Sequence, residues 1–195
     1  QFNKEGKSAL IVTSSHRTLD KYDTKEGKLI PSKRKTGVHA SELTEPYYVF
    51  KDAGMHVTIA SIKGGTIPLD PFSLWPVMRT QADKRYLKDN ELQAIIDQSL
   101  SIDQVRADDY DIVFISGGWA AAYDLEQSNV LGKLISDFHH QDKVIATVCH
   151  GALGLCQATK KDGSPLIEGL DITEIGRASC RERVVGAGGG GGGGG

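Results

Sequence analysis

The chain has 195 residues, 39% of them hydrophobic, with 23 Lys and Arg against 25 Asp and Glu and a formal net charge of −2. That is enough apolar material for one domain with a real core. The near-balanced charge with no basic face argues against nucleic acid as a partner, no apolar run reaches membrane-span length, and the sparse cysteines do not make a disulfide framework. In chain order, Ser8 to Thr13 is a short apolar run and reads as a first strand. Ser14 to Gly37 is polar and basic and reads as a long loop, with Lys33-Arg34-Lys35 a solvated part of it. Ser41 to Ala53 has helix character, with Ser41 as N-cap, Pro46 within the first turns and Gly54 as the stop. Met55 to Ser61 alternates and reads as a second strand. Gly64 to Tyr86, broken by Gly65, Pro68, Pro71 and Pro76, reads as a loop or small insertion. Asp89 to Leu100 carries Leu92, Ile95, Ile96 and Leu100 at helical spacing. Tyr110 to Ser116 is a third strand ending in Gly117-Gly118, Asn129 to His139 a helix, and Lys143 to Val148 a strand running into Cys149 with a helix start behind it. Leu166 to Thr173 reads as the start of one more strand.

Residues 174–195 are read apart from the domain. Gly188 to Gly195 is an unbroken glycine run, which has no side chains to build a core. Ahead of it, Ile175-Gly176-Arg177-Ala178-Ser179-Cys180-Arg181-Glu182-Arg183-Val184 resembles the translation of a sequencing-adapter oligonucleotide. The expected organisation is a single domain over 1–173, incomplete at its C-terminus, followed by a non-native and disordered addition over 174–195. The chain opens on Gln1, which leaves room for a preceding segment, a secretory leader included. The expected setting is nonetheless cytoplasmic, and the cysteine usage is compatible with a reducing compartment.

Strands alternating with helices predict an α/β fold, a three-layer sandwich around a mostly parallel, flavodoxin-like sheet. Ligands of such sheets bind outside the carboxyl ends of the strands. Cys149 stands at that edge, in a strand-to-helix turn that is the cysteine counterpart of a nucleophile elbow. A helix N-terminus there favours thiolate over thiol. Gly151 and Ala152 let the turn come close to a substrate. The plainer reading is a buried structural cysteine, a common fate for a free thiol. Gly117, Gly118 and His16, which follow other strands, belong to the same edge. His139 and His140 are adjacent, so on a helix they diverge by about 100° and make a poor metal pair. Cys156 reads as a core residue.

Three groups of residues carry a resemblance: Ser116-Gly117-Gly118 after a strand, Ala146-Thr147-Val148-Cys149-His150-Gly151, and Gly37 to Pro46 with Glu42 four residues before the proline. Together they resemble the ThiJ/PfpI superfamily of class I glutamine amidotransferase-like folds. Glu45 to Gly54, followed by Pro68-Leu69-Asp70-Pro71, is similar to its glyoxalase III and stress-chaperone branch. The resemblance covers nearly all of residues 8–173.

That resemblance implies a cofactor-free, metal-free enzyme that acts on small 2-oxoaldehydes such as methylglyoxal. Cys149 would be the nucleophile and His150 the proton carrier. Glu42 would be a buried carboxyl on the sulfur, kept protonated by desolvation. Taken alone, Glu42 reads as an ordinary first-turn glutamate and His150 as a solvent-facing or capping histidine. The backbone N–H groups of Gly118 and His150 would serve an oxyanion. Gly117, Trp119, His16 and Asp70 would line the pocket, although an Asp before Pro more often makes a turn. Where the family often has His-Gly, this chain has Trp119-Ala120, so Trp119 is either an apolar wall or a core residue. The acid that orients the family's histidine lies beyond the next strand, in or after residues 174–195, and neither Glu174 nor Glu182 is taken as its replacement. The alternatives are a redox-sensing stress chaperone with unfolded clients, or a cysteine peptidase, amidase or deglycase. The family also suggests a homodimer.

Overall fold

The computed structural model describes residues 6–170. The expected boundary at 173 and the segment 174–195 lie outside them, as do Glu174 and Glu182. The elements follow in order: β1 (Ser8–Thr13), β2 (Lys21–Asp23), β3 (Lys28–Ile30), α1 (Ala40–Asp52), β4 (His56–Ser61), α2 (Gln81–Tyr86), α3 (Asn90–Asp97), β5 (Leu100–Ser101), β6 (Ile112–Ile115), α4 (Ala121–Asp124), α5 (Asn129–His140) and β7 (Val144–Thr147). A 3-10 helix, Cys149–Leu155, follows β7.

The main sheet has five strands in the order β5-β4-β1-β6-β7, all pairs parallel. With the two-residue edge strand β5 set aside, β4-β1-β6-β7 is the flavodoxin-like order, second-first-third-fourth. β1 lies at the centre because Ala9 to Val12 are apolar on both faces and completely buried. Alternation along β1 splits the interior in two. Leu10 and Val12 join Val113, Ile115 and the α5 side chains Leu131, Leu134, Ile135 and Phe138 on one side. Ile11 joins Leu43, Tyr47, Ile59, Leu92 and Ile96, beneath α1 and α3, on the other. These are the three layers expected.

Several boundaries differ from the sequence reading, each for a local reason. The stretch 14–37 is not all loop, because β2 and β3 pair antiparallel from Lys21–Ile30 to Asp23–Lys28. The end of 64–86 is helical: Thr80 and Asp83 form a capping box at the start of α2. Leu100 leaves the helical register, since α3 ends at Asp97 and Leu100–Ser101 instead pairs with Ala60–Ser61. The expected strand from Leu166 is a turn over 166–169. Helix α1 starts at Ala40, with His39 and not Ser41 as its N-cap residue. Pro46 therefore lies well inside the helix. Among the described residues no helix is long and apolar enough to cross a membrane.

Candidate active site

β7 delivers Cys149 to the carboxyl edge of the sheet. Val148 is still extended, with φ −133°, and Cys149 then turns into the left-handed region at φ +52°. A residue with a Cβ in that conformation is strained, and the strain is what projects the thiol out of the turn. The turn is tight because Gly151 lies on the end of β6, where a Cβ would stand 2.2 Å from the Ile115 carbonyl oxygen. Its N–H donates to the Val148 carbonyl at 2.8 Å. The segment behind the cysteine is a short 3-10 helix, not the α-helix expected. The thiol thus feels particular N–H groups rather than a long macrodipole.

His150 is buried, and its Nδ1 lies 3.2 Å from the Cys149 sulfur. One face of its ring meets Trp119, centroid to centroid 5.1 Å. Trp119 itself is 58% exposed, so it is a wall of the site and not a core residue. Glu42, on the first turns of α1, accepts the Gly117 N–H on Oε2 at 3.0 Å.

Pro46 has no N–H to offer the Glu42 carbonyl four residues back. The buried Ser116 hydroxyl takes that place, donating to the Glu42 carbonyl oxygen at 2.9 Å. Backbone and side chain of Glu42 are therefore both tied to the turn after β6. Gly118, at φ +89°, closes the arrangement: a Cβ there would stand 2.5 Å from the His39 nitrogen and 2.6 Å from the Gly37 carbonyl oxygen. Gly37 and Val38 run in turn along Pro68 and Leu69, with Val38 N–H on the Pro68 carbonyl at 2.8 Å.

The electrostatics follow from this packing. Burial pushes the Glu42 carboxyl above the usual carboxylate range, against hydrogen bonds with Cys149 and Gly117 and the field of His39 and His150. Burial is also the main upward push on the Cys149 thiol, and a charged Glu42 adds to it. The N–H groups of His150 and Gly118 pull the thiol back down. A protonated Glu42 removes the like-charge repulsion and turns the carboxyl into a donor toward the sulfur. The arrangement can therefore carry a thiolate with a neutral acid beside it and an imidazole within reach.

An open cavity of about 600 Å³, bounded by Gly118, Trp119, His39 and Asp70 among others, adjoins this cluster: Cys149, His150 and Glu42 do not line it, but Gly118 offers its N–H to the sulfur and Trp119 packs on His150. Gly117 sits behind it, on Glu42. His16 is not among the lining residues. Its ring stacks on Tyr123 at 4.2 Å and its Nε2 stands 3.2 Å from Asp20 Oδ2. Asp70 does make the turn its sequence suggested, accepting the Phe72 N–H at 2.9 Å, and it also faces the cavity. Cys156 packs against the core, and the rings of His139 and His140 are 6.1 Å apart. Among the described residues no group of three His, Cys, Asp or Glu side chains is placed to hold a metal ion. Two contributors were missed in the sequence: the Ser116 hydroxyl and His39. Pro46 inside a helix was the available signal for the first, since it announces an unpaired carbonyl at Glu42.

The profile of the DJ-1/PfpI family matches residues 33–165. Among curated proteins, the glutathione-independent glyoxalase hsp3101 of Schizosaccharomyces pombe is 33% identical over 156 residues, covering 77% of this chain and 58% of that protein. Among solved structures, the Rapid Encystment Protein 24 KDa of Francisella tularensis superposes with a TM-score of 0.76 at 29% identity, over 92% of this chain and 74% of the other. Glyoxalase III of Candida albicans superposes with a TM-score of 0.69 at 25% identity, over 86% and 66%. The chain spans 58% of the length of the S. pombe relative.

Proposed function

This chain is a member of the DJ-1/PfpI family, and from that premise we propose that it converts small 2-oxoaldehydes such as methylglyoxal into 2-hydroxy acids, with Cys149 as nucleophile. The observation that carries the reading is the 3.2 Å approach of His150 Nδ1 to the Cys149 sulfur, in a turn where Glu42 and two backbone N–H groups also meet that sulfur. The names of relatives about 30% identical, which are glutathione-independent glyoxalases, support it.

In this scheme the Cys149 thiolate adds to the aldehyde carbon, forming a C–S bond and an alkoxide. The N–H groups of Gly118 and His150 would stabilise that oxygen. Protonation gives a hemithioacetal. His150 then takes the hydrogen of that carbon as a proton, giving an enediolate, and returns a proton to the neighbouring carbon. The former aldehyde carbon is now a thioester and the former ketone a secondary alcohol, so one carbon is oxidised while its neighbour is reduced. Water cleaves the C–S bond, releasing the 2-hydroxy acid and the thiol. Glutathione has no place in the scheme because Cys149 supplies the sulfur.

The test is lactate formation from methylglyoxal by the full chain and by Cys149→Ala. The expected result is loss of activity in the variant to the level of buffer. Equal turnover by both proteins would overturn the assignment.

A further inference from the structure

The cavity that adjoins Cys149 through Gly118 and Trp119 is larger than the proposed small substrate requires. A three-carbon oxoaldehyde fills on the order of 100 Å³, judged against about 30 Å³ for one water in the liquid, whereas the cavity holds about 600 Å³. The surplus space has a definite character. One side is aromatic, with Phe72 and Trp75 in contact at a centroid distance of 5.1 Å and Trp119 at the boundary with His150. Another side carries Arg34 and Lys35.

The backbone that carries these two cations is pinned, while their side chains are exposed. Leu19 N–H donates to the Arg34 carbonyl at 2.8 Å, Thr36 N–H donates to the Arg17 carbonyl at 3.0 Å, and Thr18 and Lys35 form an antiparallel bridge. The segment is the exposed loop its sequence suggests, pinned by one isolated bridge. Among the described residues neither Arg34 nor Lys35 has a carboxylate as an ion-pair partner. Asp70 is the carboxylate in the same lining, and its oxygens already serve Thr36 Oγ1 at 3.1 Å and Phe72 N–H at 2.9 Å.

We propose that Arg34 and Lys35 form an anion-selecting subsite, so that the preferred carbonyl substrate carries a phosphate or carboxylate group beyond the carbons that meet Cys149. The proposal rests on Cys149 being the nucleophile. It deepens that reading by naming a substrate class: an anionic carbonyl compound larger than methylglyoxal. The apolar part of such a molecule would lie along Trp119, Phe72 and Trp75.

Thiol alkylation tests the subsite without requiring turnover. Iodoacetate and iodoacetamide share a leaving group and differ in charge, so the ratio of their rates at Cys149 reports the potential in front of the sulfur. In the full chain this ratio is expected to fall by about three- to tenfold in Arg34→Gln/Lys35→Gln, with the iodoacetamide rate unchanged. Raising the salt from 0.01 to about 0.5 M should lower the wild-type ratio and leave that of the variant flat, because screening acts only where there is a field to screen. A ratio that is the same in both proteins overturns the proposal. Both side chains are exposed, so the variant is expected to fold. Adding inorganic phosphate or acetate then identifies the anion, by which of the two slows wild-type alkylation by iodoacetate. Failure of lactate formation with an intact charge ratio would count against the glyoxalase reading alone.

Discussion

Glu42 and Cys149 each hold a proton more tightly than they would in water, and for the same leading reason, burial. The side chain at position 42 therefore decides how reactive the sulfur is. With a neutral carboxyl donating to the thiolate, Glu42→Gln preserves the donor, and alkylation of Cys149 at neutral pH should stay within about threefold of wild type. Glu42→Ala removes the donor. A hydrogen bond to a charged group contributes ~1.5–3 kcal/mol, so alkylation of the Glu42→Ala thiol at neutral pH should slow by about tenfold or more. The sign is fixed by which form is stabilised: losing a donor to the thiolate moves the alkylation profile to higher pH. A profile for Glu42→Gln displaced to lower pH would instead show that Glu42 is charged beside the thiol. The sequence pointed to Cys149, His150 and Glu42 through motif order. It could not show that Gly117 N–H fixes the Glu42 carboxyl, because that contact joins residues 75 positions apart.

At the scale of elements, the junction between α1 and the turn after β6 holds the site together. In Ser116→Ala the Glu42 carbonyl loses its donor inside a helix whose Pro46 cannot replace it. The expected cost is about 1–3 kcal/mol, read from the urea midpoint. Adding Pro46→Ala restores the ordinary helix hydrogen bond and should recover most of that loss, so the two substitutions are strongly non-additive. Additive costs would show that the Ser116 contact has no energetic link to the proline. Elements with strong periodicity were legible: β1, β4 and α5 stand within a residue or so of their expected spans. The hairpin of β2 and β3 was not, because its side chains are mostly exposed, Tyr22, Leu29 and Ile30 included, and leave no alternating pattern. Helix α2 lacks an apolar stripe, yet Thr80-Gln81-Ala82-Asp83 was a readable start signal. Leu100 misled because a leucine at helical spacing looks the same whether its backbone continues a helix or pairs as an edge strand.

Across the whole molecule, stability is concentrated at β1, which faces both halves of the core. Ile11→Ala should cost ~2–5 kcal/mol. Ile30→Ala, on a hairpin residue that is 43% exposed, should stay within about 0.5 kcal/mol. Chemical denaturation of the two variants checks this contrast, and equal effects would contradict the described core. The parallel three-layer plan was readable because runs such as Ala9 to Val12 are apolar at every position, as strands covered on both faces must be. The cavity was not readable. Its walls come from the bridged loop at 34–36, the turn at 70–75 and the Gly118-Trp119 step, which only the folded chain brings together.

The left-handed turn at Cys149 has a consequence for engineering. The reactive atom owes its position to the main chain, at φ +52°, and to the glycine packing beneath it, rather than to anything specific to sulfur. Serine and alanine meet much the same backbone cost there, whereas a β-branched residue meets a larger one, so small side chains can be exchanged into the socket without redesigning its surroundings. Glycine alone would release the tension and lose the aim. The position is an interchangeable tool holder, in which the chemistry can be rewritten one side chain at a time while the protein around it stays the same.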